Sequence, residues 1–272
     1  MSSTGAVSIF TGEKAWEVLW KWTWFERARW KPFFRQMKAG TRCGLSLLLP
    51  KLGVRSILDC SCGVGWKTII LAEMGYQVEG SDGCGFAVRC ASQLAREEGL
   101  HLKFFDARWE DLGKMRPERY DCVYNDAFAW VPTRRALAAS AMGIRSALKD
   151  GGSFIFVGAH QWSRKVSRER LIDRMLNQMG RFQLLQPFNR GGTKMTLLKL
   201  RERDGEGIAD NHVFLIEERG WARVEVAKIM DLCTWSWQDY VDVLSRSGFR
   251  KIYSVRSRNH KGKPYIFNVA EK

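Results

Sequence analysis

The sequence predicts an α/β protein built on a doubly wound, mostly parallel seven-stranded sheet, with an N-terminal helical cap and a small antiparallel insertion. Three observations carry this expectation. From residue 56 to 158, short apolar strands alternate with helical segments, a pattern that requires parallel strands covered on both faces. Gly75 and Gly99 close two of those helices, and Asp150-Gly151-Gly152 closes a third. From residue 181 the apolar period changes to two, as in strands with one solvated face. The 272 residues suffice for one large domain with an insertion, or for two small domains.

Residues 1–50 form the expected cap. A helix over 13–30 follows from Trp16, Trp20 and Trp24, which recur every four residues. Pro32 interrupts it, and a second helix is expected over 33–49. Residues 51–160 form a Rossmann-like core. Its strands are expected at 56–60, 76–80, 102–105, 120–124 and 153–158, and its helices run to about 74, over 84–98 and over 133–148. Right-handed crossovers make such a sheet doubly wound. Residues 161–232 are expected to be an inserted basic helix (166–179) and an antiparallel lid with strands at 182–188, 195–200, 213–217 and 221–228. Residues 233–272 add a helix over 236–247, closed by Gly248, and a hairpin of 249–256 and 264–270 that completes the main sheet.

Composition narrows the function classes. No apolar run approaches the roughly 20 residues that span a bilayer. The first ten residues lack a basic stretch followed by an apolar one, so no secretory signal is read there. Seven scattered cysteines, an odd number, fit reduced thiols in a cytoplasmic protein better than a disulfide framework. The formal charge of +15 is uneven. Residues 1–50 hold 8 basic and 3 acidic side chains, residues 51–160 hold 14 and 13, and residues 161–272 hold 22 and 13. The positive field therefore comes from what surrounds the core, and a solvated basic surface is its simplest reading.

The chemistry concentrates at Ile57-Leu58-Asp59-Cys60-Ser61-Cys62-Gly63-Val64-Gly65-Trp66. An apolar strand enters a glycine turn and a helix leaves it. In open α/β sheets ligands bind at that place, beyond the carboxyl ends of the strands. Asp82 ends the next strand, where an acid accepts ribose hydroxyls, and Asp106 follows the third. The dinucleotide fingerprint fails, because Thr68 stands where a third glycine is needed. Asp59 would repel a pyrophosphate and attract an ammonium. A phosphate-binding loop is excluded by the glycine spacing.

Leu58-Asp59-x-x-Cys62-Gly63-x-Gly65 resembles the first motif of class I S-adenosylmethionine (SAM)-dependent methyltransferases, glycine/sarcosine-type N-methyltransferases in particular. The likeness continues through Asp82, Asp106-Ala107-Arg108-Trp109, Phe128-Ala129-Trp130-Val131-Pro132 and Leu148-Lys149-Asp150-Gly151-Gly152. It implies that Asp59, Ser61, Gly63 and Gly65 frame the methionine part of SAM, and that Asp82 and Gly83 hold the ribose. Ala107, Arg108 and Trp109 would flank the adenine. Trp30, Arg35, Asn125 and Trp130 complete the implied cofactor set. Tyr124 to Trp130 would face the sulfonium and the substrate. The family's glycine-specific members carry an arginine after the fifth strand, where this chain has Val157-Gly158-Ala159-His160. Trp130 and Asp126 replace a histidine and an asparagine near the reacting centre. The acceptor expected here is therefore the nitrogen of a small basic amine other than glycine.

Asp126, Tyr124 and His160 are the expected catalytic residues. Asp126 is either functional or a cap for the helix over 133–148, and Thr133 already suits that start. His160 is either a general base or a hydrogen-bonded strand-end residue. Trp16, Trp20 and Trp24 read first as core and second as an aromatic cage for a cation. Cys60 and Cys62 lack a second pair with zinc spacing, so no metal is expected. RNA methylation is the main alternative, supported by Arg164-Lys165, Arg168, Arg170, Arg250-Lys251, Arg256, Arg258, Lys261 and Lys263. Against it, no Asn/Asp-Pro-Pro-aromatic motif follows the fourth strand. O- or S-methylation of a small molecule and a non-catalytic SAM-binding module are further alternatives. A small-molecule substrate, no membrane and a homo-oligomer are the remaining partner expectations.

Overall fold

The structure, a computed structural model, describes residues 6–157, 167–205, 207–233, 235–258 and 264–272. His160, Arg164, Lys165, Lys261 and Lys263 lie outside the described residues. The chain divides into two compact units, one holding residues 28–157, 235–258 and 264–272 and the other the rest of the described chain.

The larger unit is built on seven strands. β2 (Ser56–Asp59), β3 (Gln77–Asp82), β4 (Lys103–Asp106), β5 (Tyr120–Asn125) and β6 (Leu148–Phe156) are parallel. β12 (Lys251–Arg258) and β13 (Pro264–Glu271) form an antiparallel hairpin, and β13 runs antiparallel to β6. The spatial order is β12-β13-β6-β5-β2-β3-β4. The chain leaves β2 towards β3 and β4, then returns to the other side of β2 as β5. That reversal opens a crevice at the carboxyl ends of β2 and β5, the ligand position in open α/β sheets.

Side chains alternate across the strands and so feed two cores. On one face, Ile57, Tyr124 and Ile155 pack with Leu45, Leu48, Leu49 and Leu71. These come from α2 (Lys31–Leu45), α3 (Leu48–Lys51) and α4 (Trp66–Glu73). On the other, Phe154 and Phe156 stack with ring centres 5.0 Å apart and meet Phe128 and Tyr240. All four rings are buried, each contributing roughly 1.5–3 kcal/mol. α5 (Gly85–Glu97), α6 (Leu112–Met115), α7 (Arg134–Ala147) and α9 (Trp237–Arg246) complete the unit.

Several boundaries differ from expectation for local reasons. The helix over 13–30 ends at Phe25, and Arg27–Trp30 is a 3-10 turn. Pro32 does not interrupt a helix but stands in the first turn of α2, where a missing N–H costs nothing. Residues 46 and 47 separate α2 from α3, so 33–49 is not one helix. β6 begins at Leu148, which pairs with Tyr120, and the register then shifts past Gly151 (φ +73°) and Gly152. The strand therefore starts before the turn from which it was expected to emerge.

The smaller unit is a sheet ordered β1-β11-β10-β9-β7, with β8 (Phe188–Arg190) also paired to β9. β7 (Phe182–Leu184) and β8 are two strands where one was expected over 182–188. β9 (Thr193–Asp204), β10 (Gly207–Glu218) and β11 (Trp221–Cys233) run well past the spans that the clearest alternation indicated, because charged side chains occupy the ladder near their ends. β1 (Val7–Phe10), which the sequence reading left unassigned, pairs parallel with β11. α1 (Gly12–Phe25) buries Ala15, Val18 and Trp22 against Met195, Leu197, Phe214 and Ile216. The tryptophan stripe is thus not the buried face: Trp16 packs at its margin, and Trp22, on a different face of α1, takes the centre. The Trp22 indole N–H donates to Glu225 Oε2 at 2.6 Å. α8 (Arg168–Met179) takes its cap from the Ser167 hydroxyl.

Candidate methyl-donor site

β2 ends on Asp59, and seven residues later α4 begins at Trp66. Gly63 (φ +51°) and Gly65 (φ +90°) hold left-handed backbone that a side chain disfavours. A Cβ at Gly65 would also lie 2.9 Å from the Ala91 Cβ. The turn is tied to both neighbouring strands. Cys60 N–H donates to the Tyr124 carbonyl and Cys62 N–H to the Ser81 carbonyl, each at 3.0 Å. Gly65 N–H closes the turn on the Cys62 carbonyl at 2.8 Å.

Three carboxylates converge on this turn. Asp59 is buried; its Oδ2 accepts from the Thr68 hydroxyl at 2.8 Å and its Oδ1 from Ser61 N–H at 3.4 Å. Burial, reinforced by the negative charge of Asp126, pushes its pKa up to about 7. Asp82 accepts from Gly63 N–H and Cys84 N–H, both at 2.9 Å, which locks β3 to the glycine turn. Burial still raises its pKa to about 6. Asp126 accepts from the Ser61 hydroxyl at 3.0 Å, and the Ser61 oxygen in turn accepts from Asp126 N–H at 3.1 Å. The other Asp126 oxygen is paired with Lys67, whose Nζ also lies 5.2 Å from the Tyr124 ring centre. Asp106, at the end of β4, is exposed.

The remaining expected site residues fall into two groups. Near the turn, the Trp109 indole N–H donates to the Cys60 carbonyl, and its ring meets Phe128. Ala107 N–H donates to the Asp82 carbonyl at 3.1 Å, and Arg108 is exposed beside Gly83. Buried Asn125 accepts from Ala127 N–H and donates to the Cys60 sulfur, so its amide shapes the loop after β5. Trp130 is half-buried at the end of the 3-10 turn that follows. Trp30 packs edge-on against Trp66 with ring centres 4.5 Å apart. Arg35 is exposed on α2 and is not among the side chains that meet the turn.

Thr133 caps α7 by accepting from Ala136 N–H at 3.2 Å, so Asp126 does not cap that helix. Two partners are not predicted by the sequence pattern: Lys67, which pairs with Asp126, and Thr68, which anchors Asp59. Both sit in the first turn of α4, and the only signal for them was their place directly after the glycines. Cys60 and Cys62 are buried, and burial followed by nearby aspartates pushes both thiols well up, away from the thiolate that a metal requires.

Residues 57–152 match the model of a family described as a methyltransferase domain. This chain shares with that family the stretch from β2 to the start of β6, the glycine turn included. Its cofactor is SAM, the donor of the class I fold that the sheet order reproduces. No curated protein sequence matches this chain. Solved structures that resemble it include the following three. One is an S-adenosylmethionine-dependent methyltransferase from Clostridium acetobutylicum (13% identity, TM-score 0.64, covering 92% of this chain and 98% of that one). Another is DesVI from Streptomyces venezuelae (14% identity, TM-score 0.61, covering 92% and 95%). The third is the sugar N-methyltransferase KedS8 from a Streptoalloteichus species (17% identity, TM-score 0.60, covering 89% and 92%). At these identities the likeness is one of fold. Among the described residues, no helix is long and apolar enough to cross a membrane.

Proposed function

We propose that this methyltransferase transfers the methyl group of SAM to the nitrogen of a small basic amine. The observation that carries the reading is the set of carboxylates Asp59, Asp82 and Asp126 at the strand ends of a protein whose formal charge is +15. Such a negative pole favours cations, and SAM carries an ammonium and a sulfonium. The residues fit that donor. Gly63 and Gly65 supply the left-handed backbone that turns the loop at the strand ends. Asp82 has lone pairs beyond the two N–H bonds it accepts, suited to ribose hydroxyls. Asp59 lies under the turn, where a ligand ammonium would favour its charged form.

Bound SAM supplies a methyl on sulfur that a nucleophile takes by direct displacement. The chain's own work is to orient the amine and keep water out. Asp126 holds one oxygen toward Ser61 and the other toward Lys67, and each retains a lone pair for an incoming ammonium. The proton must leave before nitrogen attacks, and Asp126 or a water it holds takes it. Tyr124 and Trp130 line the same strand end. The sugar N-methyltransferase of similar fold named above supports this reading, as does the amino-bearing substrate named for an amino pentose methyltransferase of similar fold from Micromonospora echinaspora.

The test is Asp126→Asn, which keeps shape and removes charge. SAM affinity should stay within about twofold while amine turnover falls on the order of 10²-fold. A panel of amines, hydroxy compounds, thiols and bulk tRNA, with methyl transfer from labelled SAM, supplies the acceptor. Methylation of tRNA or of a hydroxy acid alone, or full activity of Asp126→Asn, overturns the reading.

A further inference from the structure

We propose that the open face of the smaller unit's sheet docks a second copy of this chain. The register places Val7 and Ile9 of β1 beside Val224 and Val226 of β11, and these opposite Val213 and Leu215 of β10. Leu198 and Leu200 of β9 continue the face, followed by Leu184 and Phe182 of β7. Partners in a ladder point the same way, so these side chains form one apolar surface across five strands. The opposite face carries Met195, Leu197, Phe214 and Ile216 and is covered by α1. Among the described residues no such cover lies on the first face. Val7, Ile9, Phe182 and Leu184 are 60–70% exposed, and Leu200 and Leu215 are also exposed. An apolar surface of this breadth marks an association site rather than ordinary surface.

Charge selects the occupant. The ionic side chains on this face are paired with one another: Lys194 with Glu217 at 2.8 Å, and Lys228 with Glu202 at 3.1 Å and Asp204 at 3.0 Å. Two lysines thus stand against three carboxylates, on a chain with a formal charge of +15. The face lacks the positive excess that attracts a phosphate backbone or an anionic bilayer. Two copies of so basic a chain repel each other except where the local charge is cancelled, and this face meets that condition. Its apolar composition complements itself, as a two-fold interface requires. Three strands of 12, 12 and 13 residues with their short neighbours span about 700 Å² at 3.3 Å per residue and 4.8 Å per strand. That approaches the roughly 800 Å² which each partner contributes to a stable complex.

Sedimentation velocity of the purified full chain, from 0.5 to 50 µM at about 0.15 M salt, is the test. The expected result is a dimer in the upper part of that range. Leu215→Glu places a charge at the middle of the face and should weaken association at least 100-fold with the far-ultraviolet spectrum unchanged. Should Leu215→Glu fail to fold, Phe182→Glu on the short strand β7 gives the same reading. A monomer throughout the range overturns the proposal, as does a dimer that a folded variant leaves intact. Binding of the wild-type monomer to phosphatidylcholine vesicles also overturns it, because the occupant is then a lipid surface.

Discussion

Asp59→Asn should make the ligand-free protein more stable at neutral pH while weakening its hold on SAM. Asp59 is buried, and its pKa is pushed up to about 7 from an ordinary value of 3.8, first by burial and then by Asp126. Below about pH 4 the carboxyl is protonated in both folded and unfolded chains and costs nothing. Between about 4 and 7 the unfolded chain releases the proton first, so stability falls as pH rises; above about 7 the loss is complete. A difference of this size corresponds to on the order of 4 kcal/mol. Asparagine keeps both contacts, accepting from Ser61 N–H and donating to the Thr68 hydroxyl, without the charge. For a chain of this length such a gain raises the melting temperature by on the order of 10 °C at pH 8 and hardly at all at pH 4. SAM at a hundred times its dissociation constant adds about 2.7 kcal/mol to the wild type. That shift should be small in the variant, and in the wild type it should shrink as pH falls through 7 and then 6, where Asp59 and Asp82 take up protons. Thermal melts at pH 5, 6, 7 and 8, with SAM, with NAD and with neither, read all of this. A variant no more stable than wild type at pH 8, an undiminished SAM shift in the variant, or a larger shift with NAD refutes the reasoning.

Two further predictions concern the same turn. Asp82→Ala removes a charged acceptor and should weaken SAM binding by tens of fold, about 1.5–3 kcal/mol by calorimetry, with the fold retained. Gly65→Ala should destabilise the chain by about 2–4 kcal/mol in urea unfolding, since it combines left-handed backbone with a Cβ 2.9 Å from Ala91.

The parallel sheet was legible because each crossover carries its own punctuation. Ser56–Asp59 and Tyr120–Asn125 have apolar centres, the more polar Gln77–Asp82 lies between Gly75 and a terminal acid, and Gly75 and Gly99 end helices in left-handed backbone as their positions implied. The smaller unit was less legible. β1 is four residues long and gains its identity only from pairing with Val224–Ala227, nearly the whole chain away. The carboxylates were visible as strand-end acids, but not the Lys67 that meets Asp126, since local sequence does not encode which way a first-turn side chain bends. Trp22 shows the same limit: three tryptophans in register outweighed the Ala15-Val18-Trp22 face that the sheet selects.

β13 lies between β6 and β12, and this governs how the nascent chain can fold. Until residues 264–271 emerge, β6 is a raw margin of the sheet, with Phe154 and Phe156 beside unpaired backbone. At 5–20 residues per second, the interval between the end of β6 and the arrival of β13 is on the order of ten seconds. An apolar margin open for that long invites pairing with the wrong strand, often one from another nascent chain. Strands β7 to β11 of the smaller unit are made within that interval, so they are synthesised while the sheet they interrupt is still incomplete. Yield in a heterologous host should therefore depend on translation speed and chaperone supply more steeply than the equilibrium stability of the finished fold implies.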